Sequence, residues 1–183
     1  TSEKLFERIE KELISPKEKM ELLKHYVYSV IIQHEDMHTK NLSLIYDKDL
    51  VFFAPLYDVS CTGIYDTSKG YDSHLTINGK QSNIRPNDFK PLCKILKIDF
   101  KEFKEEAFKI AKLYETELPS YIEEIKALGS IPFYKKKQKA RIGEGAYLKV
   151  SKIPIEFHEL LSKFHKERVE HLKALGWIIN ESL

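Results

Sequence analysis

The sequence predicts a mainly α-helical domain carrying one small β-hairpin. Three observations predict it: apolar residues recur at helical spacing over most of the 183-residue chain, two β-like runs adjoin only once, and Gly and Pro number just 7 each. Apolar residues at 42% and charged residues at 32% exclude disordered, collagen-like and low-complexity classes, and the length suits a single core. No apolar run approaches the ~20 residues of a membrane span, so a soluble chain with no membrane partner is expected. Thirty basic against 28 acidic side chains leave +2, too balanced for general attraction to nucleic acid or lipid. Cys61 and Cys93, with no C-x-x-C pair, predict a reducing, cytoplasmic setting. The opening Thr1-Ser2-Glu3, with neither Met nor a leader, predicts a cut inside a longer protein.

Taken in order, Ser15, Pro16 and Glu18 read as a capping box with Pro at the first helical position. Leu23, Tyr26, Val27, Val30 and Ile31 then trace the buried stripe of a helix running to about residue 33. Residues 34–41, His-Glu-Asp-Met-His-Thr-Lys-Asn, break that stripe. Runs at 42–46 and 50–53 flank Asp47-Lys48-Asp49 and predict the hairpin, and Pro55 ends its pairing. Residues 60–86 read as loop, with an Asn78-Gly79 turn. A short helix is expected over 87–96. Asp99 with Glu102 caps another through about 115, whose core face is Phe103, Ala107, Ile110, Ala111 and Tyr114. A third helix is expected over 119–128, stopped by Gly129. A basic loop follows at 135–141, then a last helix over 154–175 ended by Gly176.

The polar segment has a spacing that suits phosphoryl transfer. Asp36 precedes Asn41 by five residues, and Asp58 lies just beyond the hairpin; protein kinases use an Asp and an Asn at that spacing and a metal-binding Asp after a hairpin. Mg²⁺ takes hard oxygen donors and keeps several waters, so an Asn carbonyl and one carboxylate suffice from the protein. Ordinary protein kinases place His-Arg before the first Asp and Phe-Gly after the second. Here the loop reads D-x-H-x-K-N, and the second Asp sits in P-L-Y-D-V.

Four blocks in order, H-E-D-M-H-T-K-N-L-S-L-I-Y-D, F-A-P-L-Y-D-V-S-C-T, L-T-I-N-G-K and I-R-P-N-D-F-K-P-L, resemble the C-terminal lobe of HipA-type serine/threonine kinases, the toxins of bacterial toxin–antitoxin systems. The resemblance implies a protein-kinase-like large lobe over 1–128, with its catalytic loop at 34–41 and metal-binding segment at 54–62, and a helical extension over 129–183 packed on that lobe. By the same resemblance Asp36 is the catalytic base and Asn41 and Asp58 are the magnesium ligands. His38, Thr39, Lys40, Asn41, Tyr57 and Asp58 line the nucleotide. It further implies Mg²⁺ and ATP, a protein substrate of the aminoacyl-tRNA synthetase class, growth arrest or persistence, and a HipB-type antitoxin whose helix-turn-helix meets DNA, so that DNA is met only indirectly. Glu35 and Met37 depart from the family's residues, and a carboxylate beside Asp36 would disfavour its ionisation if both were desolvated. Upstream of the first expected helix lie about 15 residues without a Gly-rich turn or strand, so a missing N-terminal kinase lobe is expected as a partner, with little activity from this chain alone. Gly143-Glu144-Gly145 reads as a turn.

Two rivals stand beside this reading. His34, Asp36 and His38 could belong to a divalent-metal hydrolase. Lys135, Lys136, Lys137, Lys139 and Arg141 beside Phe133 and Tyr134 could make a non-catalytic module that binds nucleic acid. His25, His158, His165 and His171 fall on expected helices as packing or surface residues, whereas His74 lies in the loop near the site.

Overall fold

A computed structural model describes residues 1–13, 15–65, 67–137 and 151–179. Its element order is α1 (Ser2–Glu10), α2 (Pro16–Ile31), β1 (Leu44–Asp47), β2 (Leu50–Phe53), α3 (Lys90–Leu96), α4 (Phe100–Ala127), β3 (Pro132–Lys137), β4 (Ser151–Glu156) and α5 (Phe157–Leu175). Each strand pair forms its own two-stranded antiparallel sheet. Helices dominate, as expected. Among the described residues no helix is long and apolar enough to cross a membrane.

The core gathers on α2, where Leu22, Leu23, Tyr26, Val27, Val30 and Ile31 lose all contact with solvent. A helix apolar on nearly every side must be covered on every side. The ring of Phe6 from α1 meets Tyr26 edge-on at 4.8 Å. On another flank Phe89 stacks on Phe103 of α4 at 5.1 Å and meets Trp177 edge-on at 5.7 Å. The Trp177 indole N–H donates to the Ile84 carbonyl at 2.7 Å, so the one buried polar atom of that ring is satisfied. His25 is buried on α2 against Phe53 at 5.5 Å, and burial pushes its pKa down to about 4.

The structure corrects several expectations. Ser15 makes no side-chain cap on α2; the Glu18 carboxylate instead accepts the Phe53 N–H at 2.7 Å, tying the hairpin to the helix start. The N-terminal stretch, for which no element was expected, forms α1, capped by Thr1. Pro119 does not separate two helices: α4 runs through it, because the residue is exposed and water can take the carbonyl that lacks an N–H partner. The basic stretch begins inside β3 rather than in a loop, with Phe133 and Tyr134 paired against Ile155 and Pro154. Residues 139, 141 and 143–145 lie outside the described residues. The last helix starts at Phe157, since 154–156 belong to β4.

Other expectations hold. The first hairpin pairs Leu44 with Phe53 and Asp47 with Leu50, leaving Lys48 and Asp49 as the turn. Asn78 and Gly79 both adopt positive φ in a tight turn closed by reciprocal Ile77–Lys80 bonds. Lys80 and Asn78 hold the Asp88 carboxylate, which gives the N-G-K segment a structural purpose.

Helix α5 closes the domain. Its Arg168 is buried and donates to the Ile31 carbonyl at 3.0 Å and the Val30 carbonyl at 2.5 Å, while pairing with Asp72 at 2.8 Å. Asp72 also accepts the Ile84 N–H at 3.0 Å. Phe164 packs so closely on Gly63 that a Cβ there would meet its ring at 2.5 Å.

Two outcomes are expected. Replacing Arg168 with Leu strips buried Asp72 of its counter-charge and the Ile31 and Val30 carbonyls of their side-chain donor, and should cost about 3–5 kcal/mol in urea unfolding; a loss below about 1 kcal/mol would contradict the account. The second concerns pH. With His25 held neutral in the fold, the unfolded chain alone takes up a proton between the ordinary value of 6.5 and about 4. Stability should therefore fall as pH drops through that window and level off below it. His25→Leu should flatten that part of the curve of urea midpoint against pH; an unchanged slope would refute the assignment.

Candidate functional site

The polar segment is delivered by the way α2 ends. Ile32 caps the helix, Gln33 turns left-handed at φ 58°, and the His34 N–H returns to the Ser29 carbonyl at 2.9 Å. His34 also bridges in parallel to Ser73. Met37 then points inward, 1% exposed, and its sulfur accepts the Ser29 hydroxyl at 2.8 Å. That contact explains why a soft apolar side chain stands in a polar run: it anchors the loop. Residues Thr39–Asn41 form one 3-10 turn, which buries Asn41 and leaves Thr39 and Lys40 exposed.

The hairpin brings the chain back. Beyond β2, the Ala54 N–H donates to the Ser43 carbonyl at 2.9 Å, and the Tyr57 hydroxyl donates to the Lys40 carbonyl at 2.7 Å. Tyr57 therefore staples its segment to the loop, and the next residue, Asp58, turns left-handed at φ 52°. A non-glycine residue in that region is costly, and it is held here by what its side chain meets. The Asn41 amide donates to the Asp58 carboxylate at 2.6 Å. The other end of the amide, Asn41 Oδ1, is buried with no partner.

Asp36 does not touch Asn41 or Asp58 directly. It is exposed, and it shares with Asp58 a common neighbour in His34. Burial lowers the pKa of His34; the two carboxylates oppose the shift, but the imidazole stays below its ordinary value and hence neutral. Asp36 opens into a cavity of about 560 Å³ walled by Thr62, Tyr65, Lys69, Tyr71, His74 and Gln81. His38 meets His74 edge-on at 6.0 Å, and His74 Nδ1 lies 3.1 Å from the Glu35 carbonyl.

Glu35 is the residue whose role sequence reasoning missed. Its carboxylate accepts the N–H groups of Lys69 at 2.9 Å, Gly70 at 2.7 Å and Tyr71 at 3.0 Å, together with the Ser68 hydroxyl. Burial would raise its pKa, yet these donors outweigh burial and hold it below the ordinary carboxylate range. Its charge is thus spent on the cavity wall. Thr62 completes the tie, accepting the Glu35 N–H at 2.8 Å and donating to the Gln33 carbonyl at 2.7 Å. The available signal was the run of Ser, Thr and Gly over 60–73, small donors suited to wrapping a carboxylate.

Among the described residues no three His, Cys, Asp or Glu side chains gather to hold a metal ion, so His34, Asp36 and His38 do not form the zinc-type set of the hydrolase alternative. The Asn41–Asp58 pair is a different donor set: an unpartnered buried amide oxygen beside a carboxylate, which fits a hard cation that completes its shell with water and phosphate.

Known proteins share this architecture. The sequence profile of the HipA-like C-terminal domain matches residues 1–129. Among solved structures, the Shewanella oneidensis MR-1 toxin–antitoxin complex of HipA, HipB and operator DNA contains a similar chain, with a TM-score of 0.62 at 12% identity over 92% of this chain and 34% of that one. The present chain thus spans about a third of the length of that relative. No curated protein matches the chain. On the extent of the profile match, the chain belongs to the HipA-like C-terminal domain family.

Proposed function

We propose that this chain supplies the catalytic lobe of a serine/threonine protein kinase of the HipA type, transferring the γ-phosphoryl group of ATP to a protein hydroxyl. The observation that carries the reading is the Asn41–Asp58 contact with Asn41 Oδ1 left open beside the carboxylate. Asn41 and Asp58 would hold Mg²⁺, which when bound neutralises phosphate charge. Asp36 accepts or orients the proton of the acceptor hydroxyl from the mouth of its cavity. His38, Thr39 and Lys40 face the phosphates, and Tyr57 keeps the Asp58 segment in register with the loop through the Lys40 carbonyl. Such a site works by positioning and electrostatics, with little covalent chemistry of its own.

Residues 1–128 act as the lobe, 129–183 as its extension, and an N-terminal lobe covers the nucleotide. The wider reading, toxin action on an aminoacyl-tRNA synthetase under control of a HipB-type antitoxin, rests on the family resemblance and on the HipB and DNA bound in the Shewanella complex.

Two measurements test the proposal. In this chain, Mn²⁺ used as a paramagnetic stand-in for Mg²⁺ should broaden amide resonances around 41 and 58, and Asp58→Asn should abolish that effect; uniform broadening in both would remove the metal site. With an N-terminal lobe supplied, Asp36→Asn should lower phosphotransfer by about 10²–10⁴-fold without moving the melting temperature. Comparable turnover in that variant would rule out Asp36 as the base.

A further inference from the structure

The residue next to Asp36 holds the walls of the cavity that Asp36 opens into. Glu35 does so with three separate groups. Its N–H donates to Thr62 Oγ1 at 2.8 Å, and its carbonyl lies 3.1 Å from His74 Nδ1. Its carboxylate accepts the N–H groups of Lys69, Gly70 and Tyr71 and the Ser68 hydroxyl. Thr62, Ser68, Lys69, Tyr71 and His74 all line the cavity. Gln81, another wall, is tied in at one remove, its side-chain amide donating to the His74 carbonyl at 2.6 Å.

The segment 68–71 is shaped for this contact. Successive backbone N–H groups that converge make a concavity for an anion, and Gly70 at φ 77° takes the left-handed turn at no steric cost. The two oxygens of the carboxylate divide the work. Oε1 accepts from Gly70 at 2.7 Å, from Tyr71 at 3.0 Å and from Ser68, whereas the contact with Lys69, at 2.9 Å, is made by Oε2. A carboxylate anywhere in the chain could close such a loop. Here the closing residue is bonded to Asp36, and consecutive Cα atoms across a trans peptide lie ~3.8 Å apart. The walls therefore cannot shift relative to Asp36 without breaking one of these ties. The Asn41–Asp58 pair is held by other means, through Tyr57 and the Lys40 carbonyl. On the cavity side, the rings of Tyr65 and Tyr71 remain 45% and 36% exposed, aromatic surface of the kind a polypeptide partner buries.

We propose that Glu35 is the positioning residue for the phosphoryl acceptor: by clasping 68–71 it sets the seat in which a protein Ser or Thr is presented to Asp36, and it takes no part in holding metal or nucleotide. The inference rests on the phosphotransfer reading of Asp36 and deepens it. The site divides into an acceptor half built on Glu35 and a nucleotide half built on Asn41 and Asp58.

The test begins with amide hydrogen exchange and amide shifts of the full chain, read by NMR for the parent, Glu35→Ala and Glu35→Gln. In Glu35→Ala the amides of 69, 70 and 71 should each lose protection by about tenfold, the scale of one hydrogen bond to a charged group, with shift changes confined to 62–74. In Glu35→Gln the single oxygen can replace Oε1 while the NH₂ faces the Lys69 N–H donor to donor. That variant should keep protection at 70 and 71 and lose it at 69, a contrast that general loosening of the fold would not give. If Glu35→Ala fails to fold, the Gln contrast decides alone. With an N-terminal lobe supplied and casein as the acceptor, Glu35→Ala should lower kcat/KM for casein by about 10²-fold, the scale of a 1 Å misplacement, and leave KM for ATP unchanged. Glu35→Gln should recover part of that loss. Unaltered exchange at 69–71 in the Ala variant, uniform loss across 69–71 in the Gln variant, shift changes spreading to Asn41 and Asp58, or an equal rise in both KM values would overturn the proposal. A parent that transfers no phosphate would count against the phosphotransfer reading alone, and the exchange contrast would still decide whether Glu35 sets the walls.

Discussion

The end of α2 is where the structure is most tightly determined. A helix terminus leaves carbonyls without partners, and here that terminus is buried, so something other than water must satisfy it. Arg168 does so from 137 residues away, donating to Ile31 and Val30 while its charge is balanced by Asp72. One guanidinium thereby joins three parts of the chain: the closing helix α5, the central helix, and the loop segment whose Asp72 also receives Ile84. The polar loop 34–41 departs from the point this cluster fixes. Arginine suits the task because its planar fork is always charged and can serve several acceptors at once.

From that fixed origin the site is assembled by short-range ties. Met37 and Ser29 hold the loop from within, Tyr57 holds the returning segment from outside, and Asn41 and Asp58 meet between them. Two left-handed residues, Gln33 and Asp58, mark where the backbone is bent away from its preferred regions. Each is a local cost of order 1–3 kcal/mol at a position bracketed by several hydrogen bonds. Around the polar loop this strain falls where the loop begins and where the returning segment closes on it.

Much of this was legible in the sequence, and what was not has a common cause. The stripe of α2, the hairpin at Lys48-Asp49, the Asp99 cap and the Gly176 stop are local signals, readable within a few residues. The Asn41–Asp58 contact was legible only because spacing and a resemblance joined two segments 17 residues apart. The partners of Arg168, Glu35 and Glu18 were opaque, since each lies far along the chain from the residue it serves. Pro119 and the Lys135–Lys137 run misled for the opposite reason. Their local preferences are real but weak: exposure lets a helix pass a proline, and paired aromatics and β-branched residues let lysines sit in a strand.

The distribution of unsatisfied polar groups adds a separate argument about where function lies. Within eight residues, His34 leaves both ring nitrogens, His38 leaves Nδ1 and Asn41 leaves Oδ1 buried and without a partner. Each such group forgoes about 1–3 kcal/mol relative to a satisfied one, so a chain built for stability alone would have none of them here. Elsewhere the buried guanidinium of Arg168, the indole N–H of Trp177 and the carboxylate of Asp88 are matched, while both ring nitrogens of His25 and the hydroxyls of Ser2, Tyr26 and Tyr114 are not. What sets the loop apart is that four such atoms fall on three residues of one short segment. The unpartnered amide oxygen of Asn41 lies beside the Asp58 carboxylate, in the loop whose origin Arg168 fixes.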